Sequence, residues 1–182
     1  MNRSRKCVFV SHCLLAQGVM AQGIVRQSPA IVKPVLQFCM DNDINIFQMP
    51  CPELLCPGAG LGRAVHGKQW YEKNGLREIS YPIAKEQVGY IVKLISAGYE
   101  VLAIIGLEFS PACAPSYLNR GRRIVPGKGI FIEELERELN RCARAVPFIG
   151  VNQRWTKKLQ KQLAEILEKD STRGGELDVK EL

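Results

Sequence analysis

Residues 104–113 read Ile-Ile-Gly-Leu-Glu-Phe-Ser-Pro-Ala-Cys, and this stretch decides the fold. An apolar run from Val101 to Leu107 stops abruptly at a Ser-Pro turn, which leads to Cys113. The pattern predicts a buried strand whose end delivers the hydroxyl of Ser110 and the thiol of Cys113 into one loop.

Two earlier stretches repeat this arrangement of a short apolar strand that leads to a cysteine. Residues 8–11, Val-Phe-Val-Ser, precede Cys13, and residues 44–50, Ile-Asn-Ile-Phe-Gln-Met-Pro, precede Cys51. In a parallel sheet the carboxyl ends of the strands lie along one edge, where open α/β sheets bind their ligands. The sequence therefore predicts that Cys13, Cys51 and Cys113 are neighbours at that edge.

Strands and helices alternate along the chain, which predicts a three-layer α/β/α fold around a small, mainly parallel, Rossmann-like sheet. We expect one domain over residues 1–169, followed by a polar, frayed tail over residues 170–182. The expected strands span residues 6–11, 44–48, 100–107 and 146–151. The expected helices span residues 28–40, 81–97, 129–143 and 155–169, the first with Ser28 as its N-cap and Pro29 at its first position. Residues 49–79 and 109–128 are expected to be long loops, which are usually functional.

The composition is that of a soluble globular protein, with 182 residues, 46% hydrophobic and 24% charged. The basic N-terminus runs into an apolar stretch, but Ser11, His12 and Gln17 interrupt it, so a first strand fits better than a signal peptide. We expect a cytoplasmic protein. The net charge of +7 allows anionic partners without requiring them. The basic loop 120–128 lacks interleaved aromatic residues and is expected to be a solvated lid, with no firm sign of nucleic-acid binding.

Seven cysteines in a reducing compartment do not form a disulfide framework, so some are expected to be ligands or nucleophiles. Cys7, inside a strand, and Cys39 and Cys142, on apolar helix faces, are expected to be small buried hydrophobic residues. The three strand-end cysteines suit a metal ion or a cluster.

Two alternatives use the same cysteines differently. Cys56 could be the fourth thiolate of a closed zinc site with Cys13, Cys51 and Cys113, which would make the protein a structural or interaction module. A cysteine-nucleophile hydrolase is a third possibility, although no Cys-His pair can be placed from the sequence.

Two polar residues accompany the strand-end cysteines. Glu53 lies two residues after Cys51, and Ser110 lies three residues before Cys113. A carboxylate can act as general acid or base beside a dry site, and a hydroxyl can orient a substrate oxygen. Taken alone, each residue also fits an ordinary loop position.

Three motifs together resemble the thiouracil desulfurase family. They are Ser11-His12-Cys13-Leu14-Leu15, Cys51-Pro52-Glu53 and Ser110-Pro111-Ala112-Cys113. The family pattern is Ser-x-Cys-Leu-Leu, then Cys-Pro-Glu, then Ser-Pro-x-Cys, and the match covers roughly the first two-thirds of the chain. Each motif is weak, but the ordered set is fairly specific.

The resemblance implies a [4Fe-4S] cluster held by Cys13, Cys51 and Cys113, with one iron that has no protein ligand. It also implies a non-redox desulfidase that converts C=S to C=O in a small thiolated compound, such as a thio-nucleobase, whose sulfur binds the open iron. In this interpretation Glu53 handles protons, Ser110 places the substrate, and sulfide is released.

The chain also departs from the family pattern in loops expected to shape the pocket. Residues 18–23 lack the family's second cysteine and its Arg-Tyr-Asp-Gly, and Ala112-Cys113-Ala114 replaces the common Ser-Cys-Gly. These differences predict a divergent relative with a different thiolated substrate. His12 is expected to have a structural or supporting role. His66, with Arg63 and Lys68, either contacts substrate or belongs to a surface loop.

Overall fold

The computed structural model describes residues 3–25, 29–153, 159, 161 and 163–165. Its main sheet has four parallel strands in the order β2-β1-β3-β6, and β4 and β5 form a separate antiparallel pair. The strands are β1 Lys6–Ser11, β2 Asn45–Met49, β3 Glu100–Leu107, β4 Tyr117–Arg120, β5 Arg123–Pro126 and β6 Phe148–Val151. The helices are α1 His12–Leu15, α2 Lys33–Asp41, α3 Pro52–Leu55, α4 Lys68–Lys73, α5 Leu76–Ser96 and α6 Ile130–Arg141.

The alternating side chains of the strands build two cores, one on each face of the sheet. Val8 and Val10 pack on one face, together with buried residues of α2. Phe9 packs on the opposite face, together with buried residues of α5 and α6. Because β1 is covered on both sides, its sequence is nearly all apolar. The predicted three-layer α/β/α fold with a parallel, Rossmann-like sheet is confirmed.

Helix α2 begins later than predicted. It starts at Lys33, with Val32 as its N-cap and Pro34 in its first turn, whereas Ser28 lies outside the described residues. The preceding segment is held by the first loop instead. Val32 N–H donates to the Leu14 carbonyl at 2.9 Å, and Gln17 N–H donates to the Ala30 carbonyl at 2.7 Å. These bonds keep residues 30–32 out of the helix, so Pro29 does not start it.

Helix α5 begins earlier than predicted, at Leu76 rather than at Tyr81, and Pro82 lies inside it. Its buried positions Leu76, Ser80 and Ala84 recur every four residues and continue through the proline. That stripe packs on the sheet and outweighs the breaking tendency of Pro82. The expected loop 49–79 accordingly contains α3, α4 and the start of α5.

The expected loop 109–128 contains a hairpin made of β4 and β5. Its base is joined to β3 by a hydrogen bond of 2.9 Å from Phe109 N–H to the Tyr117 carbonyl. Gly121, with φ of +62°, lies in the turn between the two strands. The two strands are only four residues long and largely exposed, so their sequence carries no burial pattern.

The predicted last helix and the tail fall largely outside the described residues. Leu159 and Leu163 are helical and buried against the core beside β6. The rest of the prediction for residues 154–182, including a domain end at residue 169, stays a prediction. Among the described residues, no helix is both long enough and apolar enough to cross a membrane.

Candidate active site

The ends of adjacent strands place chemically active side chains at one edge of the sheet. Cys13 lies two residues after the end of β1, and Cys51 lies two residues after the end of β2. The two strands end in register, because Ser11 pairs with Met49. Cys113 follows β3 through the Ser-Pro turn. The structure thus brings the three strand-end cysteines to one edge, as the sequence predicts.

The three thiols are buried and form no disulfide, with residue exposures of 8% for Cys13, 9% for Cys51 and 4% for Cys113. Burial raises the pKa of Cys13, and the neighbouring thiol of Cys51 raises it further. Burial also raises the pKa of Cys113, and the neighbouring thiols of Cys13 and Cys51 raise it further. These mutual effects arise because the three groups are close enough to repel one another when ionised.

A cavity of about 480 Å³ opens at this edge and includes all three cysteines in its wall. Its wall is mainly apolar, with a few polar groups, as is common in small-molecule sites. Residues of four segments line it. The lining residues include Cys13, Met20, Cys51, Glu53, Arg63, His66, Lys68, Tyr71, Glu108, Ser110, Cys113, Leu118, Asn119, Ile124, Asn152 and Gln153.

Glu53 is one of two buried carboxylates in this cavity, together with Glu108, and its two oxygens differ in their hydrogen bonds. Oε2 accepts from Arg63 Nη2 at 2.9 Å, from Arg63 Nε at 3.2 Å and from the Tyr71 hydroxyl at 3.1 Å. Oε1 accepts from the Ser110 hydroxyl at 3.0 Å. Since Oε2 already accepts three hydrogen bonds, Oε1 is the oxygen that retains capacity for a further hydrogen bond.

Ser110 connects this carboxylate with the loop of Cys113. Its hydroxyl donates to Glu53 and accepts from the backbone N–H groups of Cys113, at 2.9 Å, and Ala112, at 3.2 Å. The two accepted bonds hold the turn that presents the Cys113 thiol. The side chain therefore fixes a thiol and a carboxylate relative to each other.

Arg63 neutralises Glu53 and ties together the loops around it. Its Nη1 group donates to the carbonyls of Val19, at 2.6 Å, and Gly60, at 3.2 Å. Burial by itself lowers the pKa of Arg63, but the charge and hydrogen bond of Glu53 raise it above its usual value. Burial, and then Glu53, also raise the pKa of Tyr71, which keeps its hydroxyl protonated as a donor. Arg63 and Glu53 thus form a buried ion pair.

The remaining cysteines lie outside the cavity wall. Cys7 and Cys39 are buried as predicted, and burial raises the pKa of each to about 11. Cys142 was predicted to face inward, and this is wrong. It is exposed because α6 ends at Arg141 and Cys142 is its C-cap.

Cys56 does not join the three strand-end cysteines. Its thiol donates to the Asn74 carbonyl at 3.4 Å and packs in the core beneath α5. In the part of the chain that the structure describes, no group of three or more His, Cys, Asp or Glu side chains is arranged to hold a single metal ion. The alternative zinc site with four cysteines is therefore not formed by the described residues. Cysteine thiolates are the usual ligands of iron–sulfur clusters, so the chemistry of the three buried thiols fits such a group.

The two histidines differ in position. His66 lines the cavity and stacks on Trp70, with ring centroids 3.8 Å apart and planes 9° from parallel. His12 starts α1 and does not line the cavity. Tyr71 and Gln153 also line it, and the sequence interpretation missed both. Tyr71 lies in a segment without periodicity, so no sequence signal marks it. Gln153 lies two residues after the end of β6, the same position that Cys13 and Cys51 occupy after their strands, and this shared position could have identified it.

Comparisons with known proteins support a distant relationship. No family model matches the chain. An uncharacterized protein of Methanocaldococcus jannaschii is 26% identical over 139 residues, which cover 76% of this chain and 81% of that protein. The fold is similar to that of a solved [4Fe-4S]-dependent thiouracil desulfidase, TudS, with a TM-score of 0.53 and 19% identity, over 90% of this chain and 98% of that structure. This likeness establishes a shared α/β fold with that enzyme.

Proposed function

We propose that the protein is an iron–sulfur-dependent, non-redox desulfidase that converts C=S to C=O in a small thiolated compound, including thio-nucleobases. The observation that carries this proposal is the convergence of three buried cysteines with Glu53 at one cavity. The shared fold with a [4Fe-4S]-dependent desulfidase supports it.

In this proposal Cys13, Cys51 and Cys113 hold a [4Fe-4S] cluster. When bound, the cluster would supply a Lewis-acidic iron with affinity for sulfur. The net reaction adds water across the C=S carbon and releases hydrogen sulfide, so no electrons are gained or lost.

The proton steps fall to the chain's own residues. Glu53 Oε1 takes one proton from the attacking water and passes it to the sulfur. It then moves the second proton from the new hydroxyl to the departing sulfide as the C=O bond forms, so that hydrogen sulfide leaves, while Arg63 and Tyr71 hold Oε2 in place. Ser110 keeps Oε1 facing the Cys113 loop and places the substrate beside it. The apolar wall excludes bulk water, which strengthens these interactions.

The test measures iron, acid-labile sulfide and zinc in protein prepared without oxygen, followed by sulfide release from a panel of thiocarbonyl compounds. We expect about four irons and four sulfides per chain, as a [4Fe-4S] cluster requires. Serine variants of Cys13, Cys51 and Cys113 should each lose iron. Cys56→Ser is the matched control, because it alters a buried thiol outside the cavity, and it should keep the full iron content.

One tightly bound zinc per chain, lost in Cys56→Ser, would overturn the proposal and favour a zinc-binding structural module. Full iron without sulfide release from any thiocarbonyl compound would instead contradict the reaction while leaving the cluster in place.

A further inference from the structure

Gln153 carries a buried amide oxygen without a hydrogen-bond partner among the residues that the structure describes. The residue is 6% exposed and lines the cavity. Within that part of the chain its Oε1 accepts no hydrogen bond, while its Nε2 donates to the thioether sulfur of Met20, at 3.5 Å. A buried acceptor without a donor is costly, and a bond to a thioether is weak. Because Oε1 has almost no accessible surface, the amide reaches a molecule in the cavity only by turning, and the turn exchanges a weak contact with sulfur for a stronger hydrogen bond.

The position of Gln153 ties this amide to the proposed chemistry. It follows β6 by two residues, and β6 lies next to β3, which ends in register with it at the pair Leu107 and Val151. It thus shares one edge and one cavity with Cys13 and Cys113. Gln17 is a second fully buried amide without partners, but it does not line the cavity.

The chemistry of an amide oxygen selects the ligand. Oε1 can only accept a hydrogen bond, so it suits an N–H donor. Thioamides and thioureas, whether open or cyclic, can carry an N–H group beside the C=S carbon, whereas thioketones and thioesters do not. Glu53 and Glu108 also line the cavity, but both carboxylates already accept hydrogen bonds, whereas Oε1 of Gln153 accepts none from the described residues.

We propose that Gln153 is a specificity-determining residue that turns its amide into the cavity and accepts a hydrogen bond from an N–H group of the substrate. This inference rests on the proposed desulfidase function for the identity of the sulfur compound. The recognition of the N–H group itself needs no cluster.

The test is calorimetric binding of four probes: 4-thiouracil, uracil and their 1,3-dimethyl derivatives, which lack both N–H groups. Wild type, Gln153→Met and Gln153→Glu are compared, with Gln17→Met as the matched control for loss of an unpaired buried amide. Each preparation is measured with and without its cluster, and thermal unfolding checks that the variants fold.

We expect Gln153→Met to bind uracil and 4-thiouracil about tenfold or more weakly, the loss typical of one hydrogen bond to a buried acceptor. Dimethylation should weaken binding strongly in wild type but little in Gln153→Met, because the two changes remove the same bond. Gln153→Glu keeps an acceptor and should retain the preference for N–H probes. Gln17→Met should behave like wild type.

An equal effect of dimethylation in wild type and Gln153→Met would overturn the inference, as would failure of every N–H probe to bind wild type. The uracil measurements on cluster-free protein separate this inference from the proposed function. Protein that assembles no cluster but shows the Gln153 effect with uracil contradicts only the desulfidase proposal. Sulfide release without the Gln153 effect contradicts only the role of Gln153.

Discussion

The Ser110 hydroxyl donates a hydrogen bond of 3.0 Å to Glu53 Oε1, and the two residues are 57 positions apart in the chain. This bond joins the start of α3, where Glu53 lies, to the turn that follows β3. It links the proposed proton carrier to the loop of a proposed cluster ligand. Substitution of either partner should therefore separate catalysis from cluster binding.

Glu53→Gln should abolish most sulfide release without removing iron. Gln keeps the size of the side chain but cannot carry the proton at Oε1, and a general acid–base group typically contributes 10²–10⁴-fold. Ser110→Ala should lower the rate less, because Glu53 keeps its bonds from Arg63 and Tyr71. The measurement is the rate of sulfide release per cluster. Ser116→Ala, outside the cavity wall, serves as control, and unchanged turnover in Glu53→Gln would remove Glu53 from the mechanism.

Arg63→Met should destabilise the fold by about 3–5 kcal/mol, because it leaves the carboxylate of Glu53 buried and uncompensated. The side chains of this pair are only 4% and 10% exposed. The double variant with Glu53→Gln should recover part of the loss, since no charge is then left unpaired. Urea unfolding measures both effects.

Lys128→Met is the control for that experiment. Lys128 pairs with Glu136 at the surface, with side chains 38% and 39% exposed, so its loss should cost less than about 1 kcal/mol. A similar loss of unfolding free energy in Arg63→Met and Lys128→Met would show that burial does not increase the contribution of the Glu53–Arg63 pair to stability.

Gly106→Ala should destabilise the protein and disturb the cysteine loop. A Cβ at this position would lie 2.2 Å from the Cys113 carbonyl oxygen, which is backbone and cannot move aside cheaply. Overpacking of this kind costs about 1–3 kcal/mol or more. The thermal unfolding temperature and the iron content of this variant should both fall.

Gly89→Ala is the matched substitution in α5, where an added Cβ meets nothing within 4 Å. It should stabilise the helix by up to about 1 kcal/mol, because alanine has the higher helix propensity. If the two variants were equally stable, the close approach of β3 to the Cys113 loop would not constrain the site.

Lowering the pH should weaken the ion pairs that join Glu133 of α6 to Lys68 of α4 and Arg77 of α5. Burial by itself raises the pKa of Glu133, but hydrogen bonds from Lys68 and Arg77 outweigh it and lower the pKa below its usual value. A carboxylate with a lowered pKa stabilises the folded state above its ordinary pKa, near pH 4.3, and that contribution is lost as the pH falls through the folded-state value. Glu133→Gln should flatten this acid limb in unfolding experiments from pH 7 to pH 3. Glu136→Gln is the control, and an unchanged slope in Glu133→Gln would contradict the assignment.

Sequence patterns predict those strands and helices in which burial requires apolar residues at regular spacing. The four strands of the main sheet and the approach of Cys13, Cys51 and Cys113 follow from apolar runs that stop at one edge. Arg63 and Tyr71 were not predicted as partners of Glu53, because their contacts cross a segment of short helices without periodicity.

Other errors have equally local causes. The hairpin of β4 and β5 is too short and too exposed to leave a hydrophobic pattern. Cys142 follows an apolar stripe that ends one turn before it, so its inward placement was an extrapolation past the end of α6.

The strand order determines how late in folding the three-thiol edge can form. β3 lies beside β1, although about ninety residues separate the paired positions Lys6 and Glu100, and Cys113 follows β3. Such distant pairing is slow to form, because the long loop must close before any contact is gained. No contiguous fragment shorter than residues 13–113 contains all three thiols. A growing chain can therefore complete the three-thiol edge only after Cys113 has been synthesised.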